Sequence, residues 1–153
     1  MGREIILTQR RWKSYLLVLI QFVCLAGLAL TGPILARHPL WLAVELLAIG
    51  LGVWALVSMG YPTLNITPDV KPEGRLIERG PYRWIRHPMY TSLIIGGGAL
   101  VLDSFSWLRL GIWLLLLVDL LIKLRYEESL LRAHYPGYAA LTARTWRLLP
   151  FIF

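Results

Sequence analysis

The sequence has little charge for its length and almost no cysteine. Charged residues make up 16% of the 153 residues, whereas hydrophobic residues make up 57%. A soluble domain of this size carries more charge, so the balance indicates a protein whose solvent is the lipid bilayer. The length allows one domain, 1–153. The single cysteine, Cys24, lies in an apolar run, which excludes a disulfide framework and a thiolate metal cage within one chain.

Four apolar segments are separated by turn signals. About 20 apolar residues cross the hydrocarbon core as a helix, and the segments 14–31 and 40–59 approach or reach this length. The first is too long for a signal peptide and is interpreted as a retained anchor. Two shorter arms follow, 88–102 and 107–123. The sequence therefore predicts an all-α membrane protein with about four transmembrane helices in two hairpins, a polar loop over 61–86 and a C-terminal helical extension.

The fourth helix is expected to continue past the membrane to about His134, where Pro136 and Gly137 end it. A short amphipathic tail follows and is suited to the membrane interface.

Basic residues are distributed unevenly around these segments. Fourteen of the 16 Lys and Arg residues lie before the first segment, in the loop after the second or after the fourth, and only Arg37 and Arg109 lie in the opposite loops. Membrane proteins keep basic residues on the cytoplasmic side, so both termini and the long loop are predicted to be cytoplasmic. The same rule accounts for the net charge of +7 without a nucleic-acid partner.

Residues 80–90 combine aromatic, cationic and proline side chains at the predicted start of the third helix. Pro88 suits the first helical position, which places His87 near the N-cap and Arg86 just before it. Backbone amides and the helix dipole favour an anion at such a start, and the two side chains add donors for a carboxylate or phosphate. The alternative is that Arg83 and Arg86 anchor to lipid phosphates.

Four charged residues stand near the end of the fourth helix: Lys123, Arg125, Glu127 and Glu128. Adjacent helical carboxylates point about 100° apart, so one can face inward while the other meets solvent. Lys123 and Glu127 are spaced i,i+4, which also allows an ordinary surface ion pair.

Two acidic residues lie deeper in the apolar segments. Glu45 and Asp119 are costly inside a membrane unless they are paired, so they suggest a small transporter or channel as an alternative function. Asp119 can reach Lys123 at i,i+4, which favours a structural ion pair instead. A non-enzymatic adaptor whose arginine-rich loops bind anionic lipid is a third interpretation.

The motif residues resemble the signature of the isoprenylcysteine carboxyl methyltransferase and phospholipid methyltransferase families, integral membrane enzymes that use S-adenosylmethionine. The resemblance covers roughly the C-terminal half and rests on Gly80-x-Tyr82-x-x-x-Arg86-His87-Pro88-x-Tyr90, Glu127-Glu128 and Leu149-Pro150-Phe151. It implies S-adenosylmethionine as cofactor, without the Rossmann motif, which the sequence lacks.

By this resemblance, two groups of residues form the site. The expected cofactor-binding residues are Leu76, Ile77, Tyr82, Arg86, His87, Pro88, Met89, Tyr90 and Glu127. The expected catalytic residues are Lys123, Arg125 and Glu128. In this assignment Leu76 and Ile77 border the adenosyl group, and Glu128 is a possible proton acceptor.

The expected reaction is methyl transfer to an apolar or lipid-linked acceptor, such as a prenylcysteine-like carboxylate. The family often has arginine four residues before the first glutamate, but this sequence has Lys123 there and Arg125 two residues later. Lysine cannot make a two-pronged carboxylate contact, so a lipid amine, a small thiol and an isoprenoid are equally open as acceptors. The partners implied are the bilayer and this acceptor.

Overall fold

The computed structural model describes residues 2–60 and 76–150, with side chains from Trp12 onward. The described elements are α1 (Gly2–Leu30), α2 (Pro39–Met59), a 3₁₀ helix (Gly80–Arg83), α3 (Pro88–Asp103), α4 (Trp107–His134) and α5 (Tyr138–Arg144). Within these ranges no strand is present, and a lone parallel bridge joins Ile85 to Trp146. The predicted all-α fold is confirmed.

Helices α1 and α2 are long and apolar enough to cross a bilayer. Their apolar stretches Trp12–Leu30 and Pro39–Met59 have mean hydropathies of 1.9 and 2.2. Large side chains on α2 point outward, and Leu47 and Val57 are 75% and 73% exposed. Such exposed apolar faces suit lipid, since the helix satisfies its own backbone hydrogen bonds. Helix α3 is apolar but has 16 residues, so four crossings stay a prediction.

Each helix of the first half packs mainly against a helix of the second half. Helix α2 lies along α3, and α1 lies along α4, while α3 and α4 also contact each other. The two predicted hairpins are therefore not the packing units of the fold. An apolar core of Cys24, Leu28, Val101, Leu116 and Leu120 lies where α1, α3 and α4 meet.

Arg109 joins the ends of two helices on the side opposite the 3₁₀ helix. It is 1% exposed, and its guanidinium donates to the carbonyls of Leu28 (2.9 Å) and Leu100 (3.0 Å). These carbonyls belong to the last turns of α1 and α3, so the guanidinium ties the two helix ends together. A Cβ at Gly32 would lie 2.0 Å from an Arg109 nitrogen, so the turn after α1 needs glycine there.

Two carboxylates receive backbone amides at the turn between α1 and α2. Asp103, at the end of α3, accepts from the amides of Arg37 (3.0 Å) and His38 (2.7 Å). Glu45 is 4% exposed and accepts from the amide of Ala36 at 2.8 Å. Glu45 therefore has a local partner that accounts for its burial.

Two predicted helix boundaries agree with the structure. Helix α3 begins at Pro88 with His87 as its N-cap, and α4 ends at His134, two residues before Pro136. Helix α1 begins well before residue 14, at Gly2.

Candidate active site

The loop before α3 is held by the C-terminal segment. The amide of Arg86 donates to the carbonyl of Trp146 and the amide of Trp146 donates to the carbonyl of Trp84, both at 2.8 Å, which forms the parallel bridge; the amide of His87 also donates to the carbonyl of Arg147 at 3.1 Å. This pairing places the chain after α5 directly against the motif. Of the tail expected at the membrane interface, Thr145 and Leu148 are buried, whereas Trp146 and Leu149 are 40% and 37% exposed, and residues 151–153 lie outside the described residues.

Two backbone amides in the first turn of α3 are hydrogen-bonded within the protein. The amides of Tyr90 and Thr91 both donate to the carbonyl of His87 at 3.1 Å. The Thr91 hydroxyl donates to the carbonyl of Leu148 at 2.7 Å, which ties this turn to the tail. The amides of Tyr90 and Thr91 are therefore hydrogen-bonded inside the protein and are not free to bind the anion that the sequence predicts at this helix start.

Arg86 joins three parts of the chain. Its Nε donates to Oε1 of Glu128 over 2.9 Å, and both side chains are buried, at 8% and 5% exposure. Its Nη1 donates to the carbonyl of Thr145 and, at 3.1 Å, to the Thr145 hydroxyl. The guanidinium predicted to receive a ligand carboxylate or a lipid phosphate is thus engaged within the protein. Arg83, by contrast, is exposed and lies 5.8 Å from the ring centroid of Trp84.

Glu128 lies among cations. Besides Arg86, Nε of Arg147 lies 3.3 Å and a terminal nitrogen of Arg132 lies 3.7 Å from its Oε2. Burial alone would raise the pKa of this carboxyl, but His87 and Arg86 beside it lower the pKa to about 2. A carboxylate held in its anionic form is a poor proton acceptor near neutral pH. The geometry therefore favours a positioning role for Glu128 over the general base considered from sequence.

Tyr90 contacts three predicted site residues at once. Its hydroxyl donates to Oε2 of Glu127 at 2.8 Å, which joins the start of α3 to α4. Its ring stacks on His87 with centroids 5.3 Å apart and planes 3° from parallel. Lys123 Nζ lies 5.5 Å from the same ring centroid, within range of a cation–π attraction. Tyr90 is thereby brought together with Lys123 and Glu127, which lie 33 and 37 positions further along the chain.

Lys123 is buried, with 2% exposure, and its ammonium donates to Oε1 of Gln21 on α1 at 2.8 Å. Two expectations are wrong here, because within the described residues Lys123 forms no ion pair with Glu127 or with Asp119. Arg125 is exposed on α4 and is not brought into the cluster.

Several buried polar atoms at the site lack a hydrogen-bond partner among the described residues. They include the hydroxyls of Tyr82 and Tyr138 and Nε2 of His87, although this nitrogen lies 3.7 Å from Oε1 of Glu128. Burial, aided by the charge of Glu127, raises the pKa of Tyr82 well above its ordinary value, so this hydroxyl stays protonated. The Tyr82 hydroxyl is available to a ligand, whereas Nε2 of His87 already faces the Glu128 carboxylate.

The remaining predicted residues form the edge of this region. Pro88 is buried, and Leu76, Ile77 and Met89 are half-buried. Leu76 lies near Gly137, where an added Cβ would come within 3.9 Å of its side chain. The loop before the 3₁₀ helix therefore approaches the turn after α4.

Sequence reasoning missed Gln21, Thr91 and Thr145. Gln21 had a usable signal, because an amide side chain in the middle of an apolar segment is rarely turned to lipid. The two threonines gave no signal, since their contacts depend on the C-terminal segment folding back.

No curated protein matches the chain. A family model described as phospholipid methyltransferase matches residues 39–137, which is more than half of the 153 residues. The matched range includes α2, α3, α4 and the Tyr90–Glu127 junction, but α1 lies outside it. Because the match spans most of the helical bundle, the chain belongs to the phospholipid methyltransferase family.

Proposed function

We propose that the protein is an S-adenosylmethionine-dependent methyltransferase that acts at the membrane on an apolar or lipid-linked acceptor. The observation that carries this proposal is the Tyr90–Glu127 hydrogen bond beside the buried Arg86–Glu128 pair. Together they join the start of α3 to the C-terminal part of α4, where the family resemblance implies a cofactor.

Unused hydrogen-bonding groups support this cofactor. The Tyr82 hydroxyl is buried without a hydrogen-bond partner among the described residues, and such a group costs about 1–3 kcal/mol unless a ligand satisfies it. Glu127 is 28% exposed in its side chain and has one oxygen engaged by Tyr90. The amino, hydroxyl and carboxylate groups of S-adenosylmethionine can pair with these side chains, and aliphatic residues such as Leu76 suit its adenine. The residues present therefore fit the group.

When bound, S-adenosylmethionine supplies a methyl group on a positively charged sulfonium. The chain's own contribution is to hold the acceptor in line with that methyl group and to exclude water. The stacked rings of His87 and Tyr90 form one rigid wall of the site. Lys123, beside that wall, is placed to contact an anionic part of the acceptor. A carboxylate or thiolate acceptor needs no base, whereas an amine must arrive deprotonated, since Glu128 is committed to arginines.

We also propose four crossings, with both termini and the site cytoplasmic. The support is the bias of basic residues toward one side. The structure adds that Arg109, one of the two basic residues on the opposite side, lies in the first turn of α4 and binds the ends of α1 and α3.

The direct experiment is to incubate membranes containing the protein with methyl-labelled S-adenosylmethionine and to identify the labelled product. We expect label in an organic-soluble molecule that is absent when His87→Ala is expressed at the same level. Label that is independent of the protein, or unchanged in His87→Ala, would contradict the proposal.

A second candidate function has one observation in its favour. Asp119 is 3% exposed, and neither carboxylate oxygen has a hydrogen-bond partner among the described residues, as an intramembrane ion carrier would require. Glu45, the other residue of the transporter interpretation, already binds the Ala36 amide. A transporter predicts that Glu45→Gln abolishes activity and His87→Ala does not, which is the reverse of the expectation for methyl transfer.

A further inference from the structure

Lys123 carries hydrogen-bonding capacity that the protein leaves unused. An ammonium group has three N–H donors, and Gln21 accepts one of them at 2.8 Å. The face of Tyr90 adds an attraction at 5.5 Å but no acceptor for a conventional hydrogen bond. A buried cation with free donors and no contacting carboxylate is costly, and in an apolar segment it marks a functional site.

A carboxylate is nevertheless close along the helix. Asp119 precedes Lys123 by one turn of α4, a spacing at which side chains are about 6 Å apart and can form an ion pair. Both residues are buried, yet no ion pair joins them in the part of the chain that the structure describes, and both Asp119 oxygens lack a hydrogen-bond partner there. Something must therefore hold the ammonium away from this carboxylate.

Gln21 is the contact that does so. It lies on α1, which packs along α4, and its side-chain oxygen receives the Lys123 ammonium. An amide oxygen binds an ammonium without neutralising it, so the positive charge stays available beside Tyr90. A glutamate in place of Gln21 would satisfy the charge internally.

We propose that Gln21 is a positioning residue that holds Lys123 apart from Asp119, so that Lys123 binds the anionic oxygen of the methyl acceptor. This inference rests on the proposed function, because it assigns the acceptor subsite of the same site. It extends that site to α1, outside the range matched by the family model. The anionic oxygen can belong to a carboxylate or to a phosphate, and the two are distinguished by experiment.

The test measures binding of three amphiphiles of equal chain length to detergent-purified protein by calorimetry: dodecanoate, dodecyl phosphate and uncharged dodecanol. We expect at least one anion to bind at least tenfold more tightly than dodecanol. Preference for dodecanoate alone identifies a carboxylate subsite, and preference for dodecyl phosphate alone identifies a phosphate subsite. If dodecanol binds as tightly as both anions, the inference is overturned.

Variants separate positioning from general packing. Gln21→Leu frees Lys123 to close on Asp119 and should lose the anion preference by about tenfold, whereas the neighbouring, exposed Phe22→Leu should keep it. Adding Asp119→Asn to Gln21→Leu removes the competing carboxylate and should restore most of the preference, which a purely structural role for Gln21 would not allow. Gln21→Glu should abolish the preference while keeping the fold, so an unstable Gln21→Leu protein does not end the test.

A separate titration with S-adenosylhomocysteine distinguishes the two proposals. Its affinity should be the same in all these variants, because Gln21 does not contact the Tyr90–Glu127 junction. Retained cofactor binding with no anion preference would overturn the subsite alone. Absence of S-adenosylhomocysteine binding in the unmodified protein would overturn the proposed function first.

Discussion

The Tyr90 hydroxyl donates to Oε2 of Glu127 over 2.8 Å, and this bond fixes the start of α3 against α4. The same glutamate oxygen lies 3.6 Å from Nδ1 of His87, whose ring stacks on Tyr90. Three side chains that the sequence only suggested as neighbours thus form one contact group.

Tyr90→Phe tests this junction. The ring would keep its contacts with His87 and Lys123, but Glu127 would lose its hydrogen-bond donor, a change worth about 1 kcal/mol. We expect S-adenosylhomocysteine to bind roughly fivefold more weakly in calorimetry, with thermal stability nearly unchanged. Tyr15→Phe, which alters an exposed tyrosine on α1, should have no effect. Equal affinities of Tyr90→Phe and the unmodified protein would argue against a cofactor role for the junction.

Replacement of Arg86 tests the buried pair. Arg86→Gln would leave the Glu128 carboxylate without its closest cation, and removing one partner of a buried pair typically costs about 3 kcal/mol. Arg86→Lys keeps the positive charge but loses the forked guanidinium that also reaches Thr145, so it should lower the stability less than Arg86→Gln does. Thermal unfolding in detergent measures both changes. The control is Arg83→Gln, which alters an exposed residue and should shift the unfolding midpoint little. If the midpoint falls by a similar amount in all three variants, the Arg86–Glu128 pair does not stabilise the fold as stated.

The stability of the fold should depend on pH through Glu128. The pKa of this carboxyl is lowered from 4.5 to about 2, so its ionised form stabilises the folded state. That contribution is fully present above about pH 4.5 and is lost as the pH falls toward 2. Unfolding midpoints measured across this window should fall more steeply in the unmodified protein than in Glu128→Gln. Parallel curves for the two proteins would contradict the lowered pKa.

Thr91 links α3 to the C-terminal segment. Thr91→Val keeps the shape of the buried side chain but removes the hydroxyl that binds the Leu148 carbonyl, which should cost about 1 kcal/mol. Thr91→Ser retains the hydroxyl and should lose less, because only a methyl group is removed. Thermal unfolding measures the difference. A Thr91→Ser protein as unstable as Thr91→Val would show that packing, not the hydrogen bond, holds the tail.

Local signals predicted the helix boundaries well, but not which helices pack together. Pro88 and Pro136 mark helix ends through the geometry of proline, so α3 and α4 could be bounded from sequence. The pairing of α1 with α4 depends on contacts distant in sequence, such as Gln21 with Lys123, and no local periodicity encodes them. Spacing alone suggested that Lys123 pairs with Asp119 or Glu127, because both lie one turn away on the same helix. The actual partner came from another helix.

In the candidate site, too, the residues could be predicted from the sequence, but their contacts could not. The motif indicated the residues around Tyr90. The identity of a residue, however, does not reveal whether its side chain contacts a ligand or another part of the protein. Arg86 has the chemistry to bind a carboxylate, and it does bind one, that of Glu128. Only the fold-back of the segment after α5, which supplies the Thr145 acceptors, determines that this arginine is used internally.

Calorimetric titration of the purified, detergent-solubilised protein with S-adenosylhomocysteine tests the central claim most directly. We predict saturable binding at one site per chain, weakened at least tenfold in Glu127→Ala. Asp103→Ala removes a carboxylate at the opposite end of α3 and should retain the affinity. A folded, unmodified protein that gives no binding heat, or a Glu127→Ala variant that binds as tightly, would contradict the account.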